Sequence, residues 1–114
     1  MKPRYLSLNE RQAFRRLEDV VGCKWSAAVI SAIACGVTRP GQLERFIPGI
    51  STKVLNERLR KLLDYGLITR SEKVGRVMEV HYHLTPTGRK LSRILEQIRR
   101  LDEQHAKQHG RFLE

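Results

Sequence analysis

The sequence predicts a mainly α fold carrying a small β-hairpin, and two changes of rhythm predict it. Five stretches of the 114-residue chain read as helices, most of them with apolar residues recurring at three and four. Between the fourth and fifth the period drops to two, over Met78, Val80, Tyr82 and Leu84. The length suits one domain with its own core, and 40% hydrophobic against 6% aromatic residues makes that core largely aliphatic.

The first helix opens at the capping box "SLNE", with Ser7 as N-cap and Glu10 reaching back to it. Ala13, Phe14, Leu17, Val20 and Val21 form its apolar face, and Gly22 breaks it. A second helix is expected from about Cys23 to Cys35, with Trp25, Ala28, Val29, Ala32 and Ile33 as its buried stripe and Gly36 as its C-terminal cap. The third is short, because Pro40 fits a first turn and the helix must end before Pro48 and Gly49. Ser51 caps the fourth, whose core row is Val54, Leu55, Leu59, Leu62 and Leu63, and Gly66 is its left-handed C-cap.

The stretch "LITRSEKVGRVMEVHYHLT" divides at Gly75 and Arg76 into a two-stranded hairpin. Thr85 and Pro86 then cap and begin the last helix, lined on one face by Leu91, Ile94, Leu95, Ile98 and Leu101 to about Gln108. A short helix, a tight turn and a capped second helix make a helix-turn-helix, here about 39–65. With a hairpin at about 67–85 and a closing helix at about 86–108, residues 1–114 read as a single winged helix-turn-helix domain with N- and C-terminal dimerisation helices.

Lys and Arg total 22 against 12 Asp and Glu, a net charge of +10. A polyanion is the natural partner, since basic side chains displace the counterions condensed on phosphates. At about 100° per residue, Lys53, Asn56, Glu57, Arg60 and Asp64 lie opposite the leucine row of the fourth helix, and Ser51 and Thr52 stand at its start. Asn pairs with adenine, while Arg and Lys reach guanine acceptors. The same face also fits a solvated surface braced by Glu57 and Lys61 at spacing four. The adjoining hairpin, with Lys73 and Arg76 flanking its tip, favours DNA. Arg39 and Gln42 of the short helix complete the expected DNA-binding set. Arg58 projects near the core edge, where a pairing with Glu44 or support of a phosphate contact is expected.

In the order "VGCKW", "QLERFIPGIS", "KVLNERLRKLLDYGLITR" and "YHLTPTGRKL", the chain resembles the HxlR family of bacterial transcriptional regulators, relatives of the MarR winged helices, over about residues 13–100. The resemblance implies a dimer, more often repressor than activator, that binds operator DNA through two such units. It places the recognition helix at Ser51 to Arg60 and the wing at Val74 to Val77. The wing should be shorter than the family's, because "EKVGRVMEV" lacks a proline-bearing segment.

Exposed apolar stripes need a cover, and Phe14, Leu17, Leu91, Ile94, Leu95, Ile98 and Leu101 are the expected homodimer interface. Twofold pairing would set recognition helices about 34 Å apart on a nearly palindromic operator. The rival readings are a winged helix that binds an acidic protein and a non-specific nucleic-acid module.

Some members of the resembled family sense oxidants through a cysteine ahead of this motif; here Cys23 lies inside it and is the candidate redox sensor, set against a plain packing role. Cys35 is expected in the core. If one helix holds both, about 18 Å separates them at 1.5 Å per residue, beyond disulfide reach. His81 with His83, and His105 with His109, have spacings that can hold zinc, but no local Cys, Asp or Glu completes a cluster, so no metal or other cofactor is expected. No nucleophile with its base, phosphate-binding glycine loop or carboxylate pair argues for catalysis. "MKPRYLSLNERQAFRR" has no apolar signal core and no run reaches the roughly 20 residues of a membrane span, which predicts a cytoplasmic, nucleoid-associated protein. The effector, small molecule or oxidant, is not specified by any motif.

Overall fold

The computed structural model describes residues 5–22 and 24–109. Its elements run α1 (Leu8–Val21), α2 (Ser26–Ala34), α3 (Pro40–Phe46), α4 (Thr52–Asp64), β1 (Ile68–Lys73), β2 (Glu79–Leu84) and α5 (Pro86–His109). This is a winged helix-turn-helix: α3 and α4 form the helix-turn-helix pair, and the antiparallel β1–β2 hairpin is the wing.

Helix α2 is the hub, because its sequence "SAAVISAIA" contains no charged residue and so can be buried on several sides. Val29, Ile30, Ala32 and Ile33 share a core with Leu43 of α3, with Leu55, Leu59 and Leu62 of α4, and with Leu91 and Leu95 of α5. The three α4 leucines are at most 2% exposed, and burial of each stabilises by roughly 2 kcal/mol. That row fixes which side of α4 is left for solvent.

The helix ends follow local chemistry. Arg11 N–H donates to the Ser7 carbonyl at 3.0 Å, starting α1. Val54 N–H donates to Ser51 Oγ at 3.1 Å, so Ser51 caps α4 as its position requires. Gly66, at φ 69°, turns the chain out of α4 in the left-handed region. Thr85 Oγ1 donates to the Gly66 carbonyl at 2.7 Å and accepts from Gly88 N–H at 3.0 Å, while Thr85 N–H donates to the Leu67 carbonyl at 3.0 Å. One threonine thereby caps α5 and ties it to the α4–β1 corner.

Several expectations are corrected. Helix α2 begins at Ser26, not near Cys23, because Trp25 holds φ 80° and a left-handed residue cannot continue a right-handed helix. Trp25 is therefore half-buried ahead of α2 and is not part of its stripe. Cys35 is exposed and not core; it is the C-cap just past the end of α2, where the chain leaves the helix. Met78 stands 60% exposed before β2 begins, so only Val80, Tyr82 and Leu84 of the alternating set face inward. Leu91 and Leu95 are used in the chain's own core, leaving Ile94, Ile98 and Leu101 about half or more exposed. Cys23 and the side chains of Phe14 and Leu17 lie outside the described residues.

The far half of α5 is braced by charge. Arg99 reaches Glu96 at 2.7 Å and Glu103 at 3.0 Å, and Arg100 reaches Glu96 at 3.3 Å. Hydrogen bonds from Arg99, with a smaller share from Arg100, lower the Glu96 carboxyl from 4.5 to about 2. A depressed carboxylate contributes above its ordinary range, so this brace is complete at neutral pH and fades as pH falls from 4.5 towards about 2. Carboxyl NMR should find the Glu96 midpoint near 2, and Arg99→Gln should return it towards 4.5. A midpoint already near 4.5 in the unaltered chain would rule the brace out.

Candidate nucleic-acid interface

The leucine row of α4 points inward, so Lys53, Asn56 and Arg60 form an exposed stripe along its outer side. They are spaced by three and four, which sets them on one helical edge. Among the described residues Lys53 and Arg60 have no ion-pair partner, and neither do Lys73 at the end of β1 and Arg76 in the loop at 74–78. Unpaired exposed cations keep their full charge for an outside anion.

The remaining predicted residues are partly engaged within the fold. Ser51 is occupied as the α4 cap. Thr52 donates its hydroxyl to the Glu44 carboxylate, joining the start of α4 to α3. Gln42 is exposed on α3, with Arg45 exposed one turn further on, and both line a cleft between α3 and the β2 end of the wing. Arg39 pairs with Glu79 at 3.5 Å.

Arg58 is a scaffold residue, but its partner is not Glu44. Its Nε donates to the Lys24 carbonyl at 2.9 Å, clamping α4 onto the α1–α2 junction. The neighbouring Trp25 ring lies over the helix-turn-helix turn, its Cη2 3.4 Å from where a Cβ would stand at Gly49, and Lys24 Nζ sits 5.2 Å from the ring centroid.

A second tie joins the wing to the segment leading into α3. Tyr82 N–H donates to the Thr38 carbonyl at 2.8 Å, and His81 Nδ1 lies 2.8 Å from Thr38 Oγ1. One oxygen of Glu79 faces both Arg39 Nη1, at 3.5 Å, and His81 Nε2, at 3.4 Å. The His81 and His83 rings stack at 6.2 Å. This arrangement fixes the wing against α3. It was hidden from sequence reasoning because its partners lie some forty residues apart, and only the alternation placing Glu79, His81 and His83 on one strand face hints at it.

Glu79→Gln tests Arg39. The exposed pair is worth about 0–1 kcal/mol, so Tm should hardly move. A released Arg39 should add up to about one phosphate contact, steepening the log–log salt dependence of DNA binding by about 0.9. An unchanged slope would remove Arg39 from the contact set.

A family model described as HxlR-like helix-turn-helix matches residues 20–110. An uncharacterised HTH-type transcriptional regulator of Synechocystis, sll1512, is 37% identical over 83 residues, covering 73% of this chain and 62% of that protein. The chain thus spans less than two thirds of that relative. YdzF, an uncharacterised HTH-type transcriptional regulator of Bacillus subtilis, is 31% identical over 94 residues, covering 82% of this chain and 86% of its own. A crystal structure described as a MarR-family transcriptional regulator from Enterococcus faecalis superposes with a TM-score of 0.79 at 25% identity, over 96% of this chain and all of that one.

Proposed function

Since the chain belongs to the HxlR-like helix-turn-helix family of transcriptional regulators, which are not enzymes, we propose that it acts as a repressor, binding a near-palindromic operator as a homodimer. The observation that carries the reading is the division of its basic residues. Arg58 and Arg39 are committed to the fold, whereas Lys53 and Arg60 on α4 and Lys73 and Arg76 on the wing are exposed and have no ion-pair partner among the described residues. The recognition helix supplies base contacts through Lys53, Asn56 and Arg60, and the wing supplies backbone contacts through Lys73 and Arg76.

The second copy covers α5. Ile94, Ile98 and Leu101 are exposed there, and Ile98 borders a groove shared with Val21, Ala27 and Ala28. A large apolar stripe on so small a chain favours a twofold partner. No described helix is long and apolar enough to cross a membrane, so that face has no bilayer-spanning role.

Selection of bound duplexes from a random pool tests the whole reading. Two inverted half-sites centred about one helical turn apart are expected, with preference over unrelated duplex of roughly 10³-fold or more. Recovery of no consensus at physiological salt would favour a non-specific module. Sedimentation as a monomer at micromolar concentration would remove the dimer.

A further inference from the structure

Glu79, at the start of β2, is shared between two basic side chains, and one of them can gain or lose its charge. Its Oε1 lies 3.5 Å from Arg39 Nη1 and 3.4 Å from His81 Nε2. The other ring nitrogen, His81 Nδ1, lies 2.8 Å from Thr38 Oγ1. A carboxylate only accepts hydrogen bonds, whereas a hydroxyl accepts or donates, so these two neighbours can satisfy an imidazole that donates from both nitrogens. That form of the imidazole is the cation.

The surroundings direct the effect of that proton onto Arg39. Tyr82 N–H donates to the Thr38 carbonyl at 2.8 Å, a backbone bond that holds β2 against the segment before α3 whatever the charge on His81. On β1, Ser71 pairs with His81, Thr69 with His83 and Lys73 with Glu79, so Lys73 is the charged side chain that this strand brings to the same face. Helix α2 carries no charge. From α3, Arg45 lines a cleft together with Arg39 and Glu79. On the other side His83 stacks on His81 at 6.2 Å, and Arg89 and Arg93 of α5 lie beyond it. Glu79 is thus the one carboxylate in ion-pair range of His81 among the described residues. The side chains of His81, Glu79 and Arg39 are 24%, 32% and 46% exposed, so Arg39 is the partner freest to leave.

We propose that His81 is a positioning residue through which a proton hands Arg39 to the DNA backbone. Protonation sets a second cation on the Glu79 oxygen: Nε2–H holds that oxygen while the new charge repels the guanidinium, which turns outward to a phosphate. Loss of the proton returns Glu79 to Arg39. The gain is about one phosphate contact, so affinity should rise by up to about fivefold as pH falls, and the log–log salt dependence should steepen by up to about 0.9. By linkage, DNA that draws Arg39 away favours proton uptake at His81. The inference rests on the proposed DNA contacts of this face, and not on a palindromic operator or a dimer.

The test is the salt dependence of binding by the full chain to the selected operator and to an unrelated duplex, at about pH 8 and about pH 5.5, either side of the histidine range. The unaltered chain should show the steeper slope at the lower pH on both duplexes, and His81→Gln should show one slope throughout. Glu79→Gln should be steep already at about pH 8 and change little below it, because Arg39 then has no carboxylate to leave. His83→Gln should respond as the unaltered chain does. Equal slopes at the two pH values in the unaltered chain overturn the proposal, as does a pH response that survives in His81→Gln. A response that survives in Glu79→Gln also overturns it, since His81 would then be touching phosphate itself. Without DNA, the Arg39 Nε–H NMR signal should move between the two pH values and stay fixed in His81→Gln; a signal fixed in the unaltered chain overturns the proposal whatever binds. A moving signal with no binding to either duplex, or with the slope pattern intact but no operator preference, places the failure in the proposed function.

Discussion

Gly88→Ala is expected to cost about 3 kcal/mol or more, lowering Tm by some 10–20 °C. A Cβ at Gly88 would stand 2.0 Å from the Leu67 carbonyl oxygen, 3.0 Å from its carbon and 3.4 Å from Leu84 Cδ2. The obstructing atoms are backbone, and that carbonyl already accepts from Thr85 N–H, so it cannot swing aside. Relief requires α5 to lift from the α4–β1 corner, which breaks the Thr85 ties to Gly66 and Leu67. Alanine's better helix propensity returns only about 1 kcal/mol. Thermal melting decides the point: a Tm within about 3 °C of the parent would mean that α5 does not approach the corner this closely.

The second large effect is on binding. Replacing Lys53, Asn56 and Arg60 together by alanine should reduce operator affinity by roughly 10³-fold or more, at about 1–3 kcal/mol per lost base contact. Because all three are exposed, Tm should stay nearly constant. Arg58→Ala should do the reverse, lowering Tm by releasing the Lys24 carbonyl while leaving base preference intact. Undiminished operator affinity in the triple variant would remove α4 as the reading element.

These contrasts mark what the sequence makes legible. Ser51, Gly66 and Thr85 were readable because a cap is a local rule that needs only the next few residues. The face of α4 was readable because its leucine row is periodic. The start of α2 was not, since Trp25 adopts its left-handed turn where its ring meets Gly49, twenty-four residues on. The apolar period of α5 was visible, but not its division, because whether Leu95 or Ile98 is covered depends on what packs there in three dimensions. The hold of Arg58 on Lys24 and of His81 on Thr38 likewise spans 34 and 43 positions, beyond any local pattern.

The Trp25 contact also has an optical consequence. It is the chain's one tryptophan, half-buried against the turn between α3 and α4, with an ammonium group over its ring. Its emission reports on a single place in the molecule, the seam between the α3–α4 helix-turn-helix and the α1–α2 junction. Any rearrangement of that seam on DNA binding can be followed in the unlabelled protein as a change in intrinsic fluorescence.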